Sequence, residues 1–395
     1  MDLFSTVLFW AGGVIFIGSF LLYLWAILYD LRWTRIPPEF DHPLKLRLIH
    51  WSLVYILHVG KIVQRLHLYH EIATVNIFLN LSYPKAYKSV SFKDLCFDGV
   101  PVRLYQPKVP SVGKRKGFVF YHGGAGVFGS IVIAFCVWVL NTPKHPYPTQ
   151  RKDCYAATVH FMQHAKDYGV DPSQIVIGGD SAGGNFAAAI AQELMGRPDL
   201  PRLRAQVLIY PGVQGMDFNL PSYQQNATFP LLYRQNVIYY GLHYLGKDHS
   251  LLRDVLKGSH VPDEMRLRYG KWVHPDNIPD RFKHQGYAQV PLAPFKPEVY
   301  KELSAILDVS FSPLFAEDSV IRQLPETLIV SCEYDVLRDD SLLYKKRLED
   351  NGVKVSWFHA ENGFHGVINF TNAGIYTFPT GVEILKAVAD FVKCL

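Results

Sequence analysis

Gly179-Asp180-Ser181-Ala182-Gly183 follows an apolar run (175–177) and precedes an Ala-rich segment (186–191). This order predicts a strand, a sharp turn and a helix, with a serine at the turn. Glycine two positions before and two positions after the serine allows a tight reversal of the chain. The hydroxyl then lies beside a helix N-terminus, where backbone amides stabilise negative charge. The pattern is typical of a nucleophile elbow.

A serine hydroxyl is a poor nucleophile unless a base and an orienting acid accompany it. Asp335 comes just after a predicted strand over 327–332. His365 lies in a glycine-flanked segment, predicted to be a loop, after a predicted strand over 353–359. Because the order Ser, Asp, His is typical of enzymes with this elbow, we predict a triad of Ser181, Asp335 and His365. Asp339 and Asp340 are weaker candidates for the acid, and we expect them to cap a helix over 341–348.

The segment His122-Gly123-Gly124-Ala125 follows a predicted strand over 117–121. A glycine-rich turn after a strand can direct several amides at one point. We predict that the amides of Gly124 and Ala125, with that of Ala182, form an oxyanion hole. The alternative is a phosphate-binding loop, which would need a following Lys-Ser/Thr that is absent here.

These motifs together resemble the hormone-sensitive-lipase branch of the α/β-hydrolases, and within it the arylacetamide deacetylase-like proteins. The matching stretches are His122–Gly124, Gly179–Asn185, Asp335–Asp340 and Gly363–Gly366. The resemblance implies an α/β-hydrolase fold: a mostly parallel sheet with helices on both faces and a helical lid. It also implies a serine hydrolase of carboxylic esters or arylamides, without metal or cofactor.

The resemblance assigns roles to the same residues. Ser181 is then the nucleophile, Asp335 the acid and His365 the base, and the segment His122–Ala125 supplies the oxyanion hole with Ala182. It further implies an anchor in the endoplasmic reticulum membrane, with the catalytic domain in the lumen.

The chain departs from the family pattern in three ways. Ala125 replaces the last glycine of the usual motif, and its amide can still donate if its φ is negative or only mildly strained. A cysteine that pairs with the Cys332 position in relatives is replaced within Val127–Gly129, so that bridge is not expected. The crossover helix after Ser130 is missing, because an apolar segment, Ile131–Leu140, follows almost directly.

Two adjacent parallel strands need a crossover of a dozen or more residues. The chain offers only nine residues between Tyr121 and Ile131, and much of that length is the oxyanion turn. Either Val127–Leu140 becomes a helix and the sheet loses a strand, which we favour, or the segment pairs irregularly with the sheet. In both cases we predict reduced activity and stability. The alternative function is a weak or inactive membrane-tethered protein with a hydrolase fold. A hydrolase and an acyltransferase would use the same residues, and the sequence does not separate them.

Composition limits the classes of partner. The chain has 395 residues, of which 49% are hydrophobic, and a formal net charge of +5 without a basic run, so nucleic acid is not an expected partner. The five cysteines include no CxxC motif, which argues against structural zinc. The expected partners are a hydrophobic ester or amide, which can be a lipid, and a membrane.

Residues 1–30 are predicted to be a transmembrane signal-anchor, because no charged residue occurs between Leu3 and Tyr29. Arg32 and Arg35 follow this segment, and the positive-inside rule alone would put the rest of the chain in the cytosol. The resemblance favours the lumen, and three glycosylation candidates, Asn80, Asn226 and Asn369, are compatible with it.

The remaining organisation is coarser. Residues 31–84 are predicted to be a linker and N-terminal lid helices, of which 48–60 is too short to span a bilayer and is either buried or interfacial. Residues 85–395 are predicted to form the catalytic domain, beginning with a hairpin that turns at Asp98-Gly99. A lid insertion is expected at about 212–313, where the strand–helix rhythm breaks.

Overall fold

The structure is a computed structural model that describes residues 3–81, 89–109, 113–128, 146–283 and 287–395. The chain divides into two compact units. The first contains the chain up to Phe78 together with Thr228–Leu231, and the second contains Leu79–Ala227 and Leu232–Leu395. The domain borders predicted from the sequence, at residues 30 and 84, stay predictions.

The strands are β1 (Val90–Phe97), β2 (Val100–Pro107), β3 (Arg115–Tyr121), β4 (Val170–Asp180), β5 (Ala205–Ile209), β6 (Glu326–Tyr334) and β7 (Val355–Phe364). The α-helices are α1 (Leu3–Trp33), α2 (Pro43–Arg65), α3 (Glu71–Leu81), α4 (Thr149–Gln163), α5 (Ala182–Leu194), α6 (Pro221–Gln225), α7 (Arg234–Tyr244), α8 (Leu252–Leu256), α9 (Asp263–Val273), α10 (Pro297–Leu303), α11 (Asp318–Ile321), α12 (Arg338–Asp350) and α13 (Pro379–Cys394).

The core of the second unit is a parallel sheet in the order β3-β4-β5-β6-β7. Every residue of β5 is buried, as in a parallel sheet that helices cover on both faces. Helix α5 packs against β4 and β5, α12 packs against β6, and α13 packs against β7. The predicted α/β-hydrolase architecture is confirmed.

A separate two-stranded sheet is formed by β1 and β2, which pair antiparallel. Their turn is Asp98-Gly99, and both residues have positive φ, 47° and 86°. Two such residues form the type of turn that matches the twist of a hairpin. The predicted hairpin is therefore confirmed over the described residues.

The segment after the glycine-rich loop bears on the predicted loss of a crossover. Strand β3 pairs directly with β4, with Val119 opposite Ile177. Residues 129–145 lie outside the described residues, so the predicted helix over Val127–Leu140 stays a prediction. Of that segment, Val127 and Phe128 are described, and their amides donate to the Gly124 carbonyl at 2.9 and 2.8 Å.

The described part of the chain between β5 and β6 contains six helices, α6 to α11, and no strand. This helical segment interrupts the alternation of strand and helix where the sequence predicted a lid insertion.

In the first unit, α2 packs against α1. Arg47 and the indole of Trp51 each donate to the Asp30 carboxylate at 2.6 Å. Helix α2 extends beyond the predicted range of 48–60 at both ends. By length and composition alone, both α1 and α2 are apolar enough to cross a membrane.

Candidate active site

Ser181 lies directly after β4 and directly before α5. Its φ of 56° is in the left-handed region, which a non-glycine residue rarely adopts. Its amide donates to the Ile209 carbonyl of β5 at 2.9 Å, which fixes the turn against the sheet. A strained serine at a strand-to-helix turn is the geometry of a nucleophile elbow.

The two glycines of the motif are needed because the turn lies against the neighbouring strand. A Cβ atom on Gly183 would collide with the carbonyl oxygen of Tyr121, the last residue of β3. A Cβ atom on Gly179 would collide with the backbone of Gly183. Neither position can hold a side chain without moving the serine.

Each residue of the predicted triad directly follows a strand: Ser181 follows β4, Asp335 follows β6, and His365 follows β7. The carboxyl ends of parallel strands meet at one edge of the sheet, where ligands bind in open α/β folds. Strand β7 continues to Phe364, so His365 and Gly366 lie in a turn, as predicted, but that turn begins at His365 and not at Asn362. The longer strand accommodates a register shift against β6 between Cys332 and Tyr334.

The three side chains are joined by hydrogen bonds. The Nδ1–H of His365 donates to Asp335 Oδ2 at 2.8 Å, and the Ser181 hydroxyl donates to His365 Nε2 at 2.8 Å. The Leu337 amide donates to the second oxygen of Asp335 at 2.8 Å, and Asp335 is buried. The ring of Tyr210, which the sequence did not single out, lies 4.9 Å from the imidazole ring and packs against it.

The two alternative acids are engaged elsewhere. Both are buried in the first turn of α12, which begins at Arg338, three residues before the predicted start. Asp339 accepts from the Ser222 amide at 2.6 Å, and Asp340 accepts from the Val213 amide at 2.8 Å. Because they tie α12 to the segment after β5, the prediction that they cap their own helix is wrong. Burial raises the pKa of both carboxyls, that of Asp340 to about 7.

The glycine-rich loop turns through three consecutive residues with positive φ: 109° at Gly124, 57° at Ala125 and 68° at Gly126. The φ of Ala125 is therefore not negative, and the alanine accepts a left-handed conformation that costs about 1–2 kcal/mol. Among the described residues, the amides of Gly124, Ala125 and Ala182 donate to no protein acceptor.

The other two members of the motif, His122 and Gly123, hold the glycine-rich loop in place through hydrogen bonds. The Gly123 amide donates to Asp180 Oδ1 at 2.8 Å, and the Nδ1–H of His122 donates to the Gly123 carbonyl at 2.6 Å. Burial lowers the pKa of His122 and raises the pKa of Asp180. The contact of Asp180 was not predicted, although an acidic residue beside the serine was visible in the sequence.

A cavity of about 130 Å³ lies beside Ser181. Its walls are mainly aromatic and aliphatic and include Phe186, Phe218, Leu232, Ile238, Tyr244 and Phe311. An apolar cavity of roughly 150 Å³ is enough to hold a benzene ring. The cavity therefore has room for one small apolar group of a substrate.

One glycosylation candidate lies close to the triad. Asn226 is buried, and its Nδ2 donates to the carbonyls of Glu333 and Asp335, each at 3.1 Å. The folded chain has no room for a glycan on that nitrogen. Asn369 is exposed, whereas the sequon that begins at Asn80 ends outside the described residues.

Two further groups of side chains bear on disulfides and metals. Cys96, Cys154, Cys332 and Cys394 are free, so Cys332 forms no bridge with any described residue. Glu333, His359 and Glu361 bring three potential metal-ligand atoms within 4.8 Å of one another. Glu333 already pairs with Arg338 at 2.8 Å, and a guanidinium there repels a cation.

The family model described as alpha/beta hydrolase fold matches residues 133–259 and 291–369. A thermostable esterase from Pseudomonas putida has a TM-score of 0.62 at 20% identity, covering 91% of this chain and 98% of that one. At this identity the likeness shows the fold alone.

Two curated relatives are more similar in sequence. Arylacetamide deacetylase-like 4 of Homo sapiens is 42% identical over 402 residues, covering 98% of each protein. Arylacetamide deacetylase of Bos taurus is 35% identical over 373 residues, covering 88% of this chain and 93% of that protein. Fold and site define an α/β-hydrolase. Within that class, the chain belongs to the arylacetamide deacetylase-like family.

Proposed function

We propose that this protein is a membrane-anchored serine hydrolase that cleaves hydrophobic carboxylic esters or arylamides through an acyl-enzyme intermediate. The observation that carries the proposal is the hydrogen-bonded chain Ser181–His365–Asp335, with 2.8 Å at each step. The names of its relatives, a deacetylase and a deacetylase-like protein, support the class of reaction.

In the proposed mechanism, Ser181 Oγ attacks the substrate carbonyl carbon while His365 Nε2 takes the hydroxyl proton. The imidazolium then gives this proton to the departing alcohol or amine, which leaves an acyl ester on Ser181. Water, deprotonated by the same nitrogen, attacks the acyl ester and releases the acid. Asp335 keeps the imidazole in the tautomer that leaves Nε2 able to accept.

The negative oxygen of each tetrahedral intermediate needs donors that are already oriented. The free amides of Gly124, Ala125 and Ala182 are suited to this, since all three belong to segments that meet at the serine. The apolar cavity beside Ser181 would hold the acyl or aryl group.

We further propose that α1 anchors the protein in the membrane of the endoplasmic reticulum, with the hydrolase unit in the lumen. The charge-free stretch Leu3–Tyr29 of α1 supports the anchor. The lumenal side rests on the family and on the exposed sequon at Asn369. Arg32, in the last turn of α1, and Arg35, just after it, argue for the opposite orientation.

The test is labelling with a fluorophosphonate, which reacts only with an activated serine. We expect the wild type to be labelled and Ser181→Ala to remain unlabelled, with Ser319→Ala as an exposed serine control. A series of p-nitrophenyl esters of increasing acyl length then reports the size of the acyl site. Absence of labelling in a folded wild type would favour the alternative of an inactive hydrolase-fold protein. Transfer of the acyl group to an added alcohol, instead of to water, would indicate an acyltransferase.

A further inference from the structure

We propose that Arg338 is a positioning residue: it fixes helix α6, and α6 in turn holds the backbone that carries the catalytic acid Asp335. The proposal rests on the proposed function, because it assigns positioning groups to the same reaction. All of the contacts that carry it lie within the second unit.

Asp335 lies in a short connection between two elements. Strand β6 ends at Tyr334 and α12 begins at Arg338, so the connection has three residues and belongs to no strand or helix. The place of the carboxylate beside His365 therefore depends on how this backbone is held. A displacement of roughly 1 Å in an active site can lower the rate about 100-fold.

Two side chains from one side of α6 hold the carbonyl groups of this connection. The Ser222 hydroxyl donates to the Val336 carbonyl at 2.7 Å, and Asn226 Nδ2 donates to the Asp335 carbonyl at 3.1 Å. Ser222 lies in α6 and Asn226 directly after it, four positions apart and therefore on the same side of the helix. Both residues are buried. A shift of α6 would therefore move the backbone of the catalytic acid.

Helix α6 needs an outside contact to stay in place. It has only five residues, and isolated helices shorter than about 12 residues are marginal in water. Arg338 supplies this contact, because its Nη2 donates to Gln225 Oε1 at 2.7 Å and to the Phe282 carbonyl at 3.0 Å. Gln225 Nε2 donates to the same carbonyl at 3.0 Å, so the three groups form a closed set of hydrogen bonds.

The other two nitrogens of the Arg338 guanidinium bind carboxylates on the side of the catalytic acid. Nη1 donates to Glu333 Oε1 at 2.8 Å, and Nε donates to Asp339 Oδ1 at 3.1 Å. Glu333 precedes Asp335 in the chain, and Asp339 follows it. Only 1% of the Arg338 side chain is exposed. Because a guanidinium is planar and rigid, it fixes α6 relative to both ends of the connection.

The experiment uses the full-length protein in detergent. Arg338→Lys keeps a positive charge for the two carboxylates but lacks the fork that also reaches α6, whereas Gln225→Leu removes the α6 partner and leaves both ion pairs. Titration with a fluorophosphonate counts the active serines, and p-nitrophenyl acetate then gives kcat for each of them. We expect kcat to fall about 10- to 100-fold in Arg338→Lys and about threefold or more in Gln225→Leu. Because Tyr223 of α6 lines the cavity, kcat and not KM is compared.

The Asp335→Asn background separates a positioning role from a merely structural one. If Arg338 and Gln225 act through Asp335, adding either substitution to Asp335→Asn should lower the rate of fluorophosphonate labelling by less than about twofold. The matched control is Gln323→Leu, which changes an exposed glutamine after α11 and should leave kcat within about twofold of the wild type.

Gln225→Leu carries the test alone if Arg338→Lys does not fold. Unchanged kcat for each titrated serine would overturn the positioning role and leave the proposed function standing. So would losses that multiply with the loss of Asp335→Asn, because the substitutions would then act independently of the acid. A folded wild type without any labelling would refute the proposed function, and the positioning role with it.

Discussion

At the scale of single residues, the hydrogen-bonded chain Ser181–His365–Asp335 predicts the outcome of substitution. Ser181→Ala or His365→Ala should lower kcat by roughly 10⁴-fold or more, and the double variant should be no worse than either single one, because the residues act as a unit. Asp335→Asn should be severe but milder. Ester turnover with matched melting temperatures measures this. Additive losses in the double variant, or a larger loss in Asp339→Asn than in Asp335→Asn, would contradict the assignment.

Substitution of Asp180 tests whether the glycine-rich loop depends on the hydrogen bond between the Gly123 amide and the Asp180 carboxylate. Asp180→Ala removes the acceptor of the Gly123 amide. We expect kcat to fall about 10- to 100-fold with KM within twofold, since misplaced oxyanion donors affect the transition state and not substrate binding. Asp180→Asn keeps an oxygen for that amide and should retain activity within about threefold. Equal activity in the two variants would show that the contact does not position the loop.

At the scale of elements, α12 is tied to the segment after β5 by a titrating carboxyl, Asp340. Its pKa is about 7 in the folded chain and about 3.9 in an unfolded one, so the folded chain binds more protons between these values. Stability must then fall as pH rises through this window. Relative to Asp340→Asn, the free energy of unfolding of the wild type should fall by on the order of 1–3 kcal/mol between pH 5 and pH 8. Melting temperatures in detergent at both pH values measure this loss.

The matched control is Asp390→Asn, which changes an exposed carboxyl of α13. The difference between its melting temperature and that of the wild type should be the same at both pH values. If the melting-temperature difference between Asp340→Asn and the wild type is also the same at both pH values, the Asp340 carboxyl does not make stability depend on pH.

The elements also show what a sequence can predict and where it stops. Ser181 and Asp335 were predictable because each follows an apolar run, and such runs end at one edge of a parallel sheet. The end of β7 was not predictable, because the sequence Asn362-Gly363 is typical of a turn. Only the pairing of β7 with β6 keeps these residues in the strand. The contacts of Asp180 and Asn226 join segments far apart in the chain, and local patterns carry no signal for such pairs.

At the scale of the whole molecule, the side of the membrane on which the hydrolase unit lies is testable through its sequons. Asn369 is exposed, whereas Asn226 is buried and holds the backbone of Asp335. In a lumenal protein expressed with microsomes, endoglycosidase should shift the band, and Asn369→Gln should reduce that shift. Asn226→Gln should leave the shift unchanged and lower the melting temperature, because a glutamine at this position cannot reproduce both hydrogen bonds. Absence of any shift, with digestion by protease from the cytosolic side, would instead favour the orientation that Arg32 and Arg35 predict.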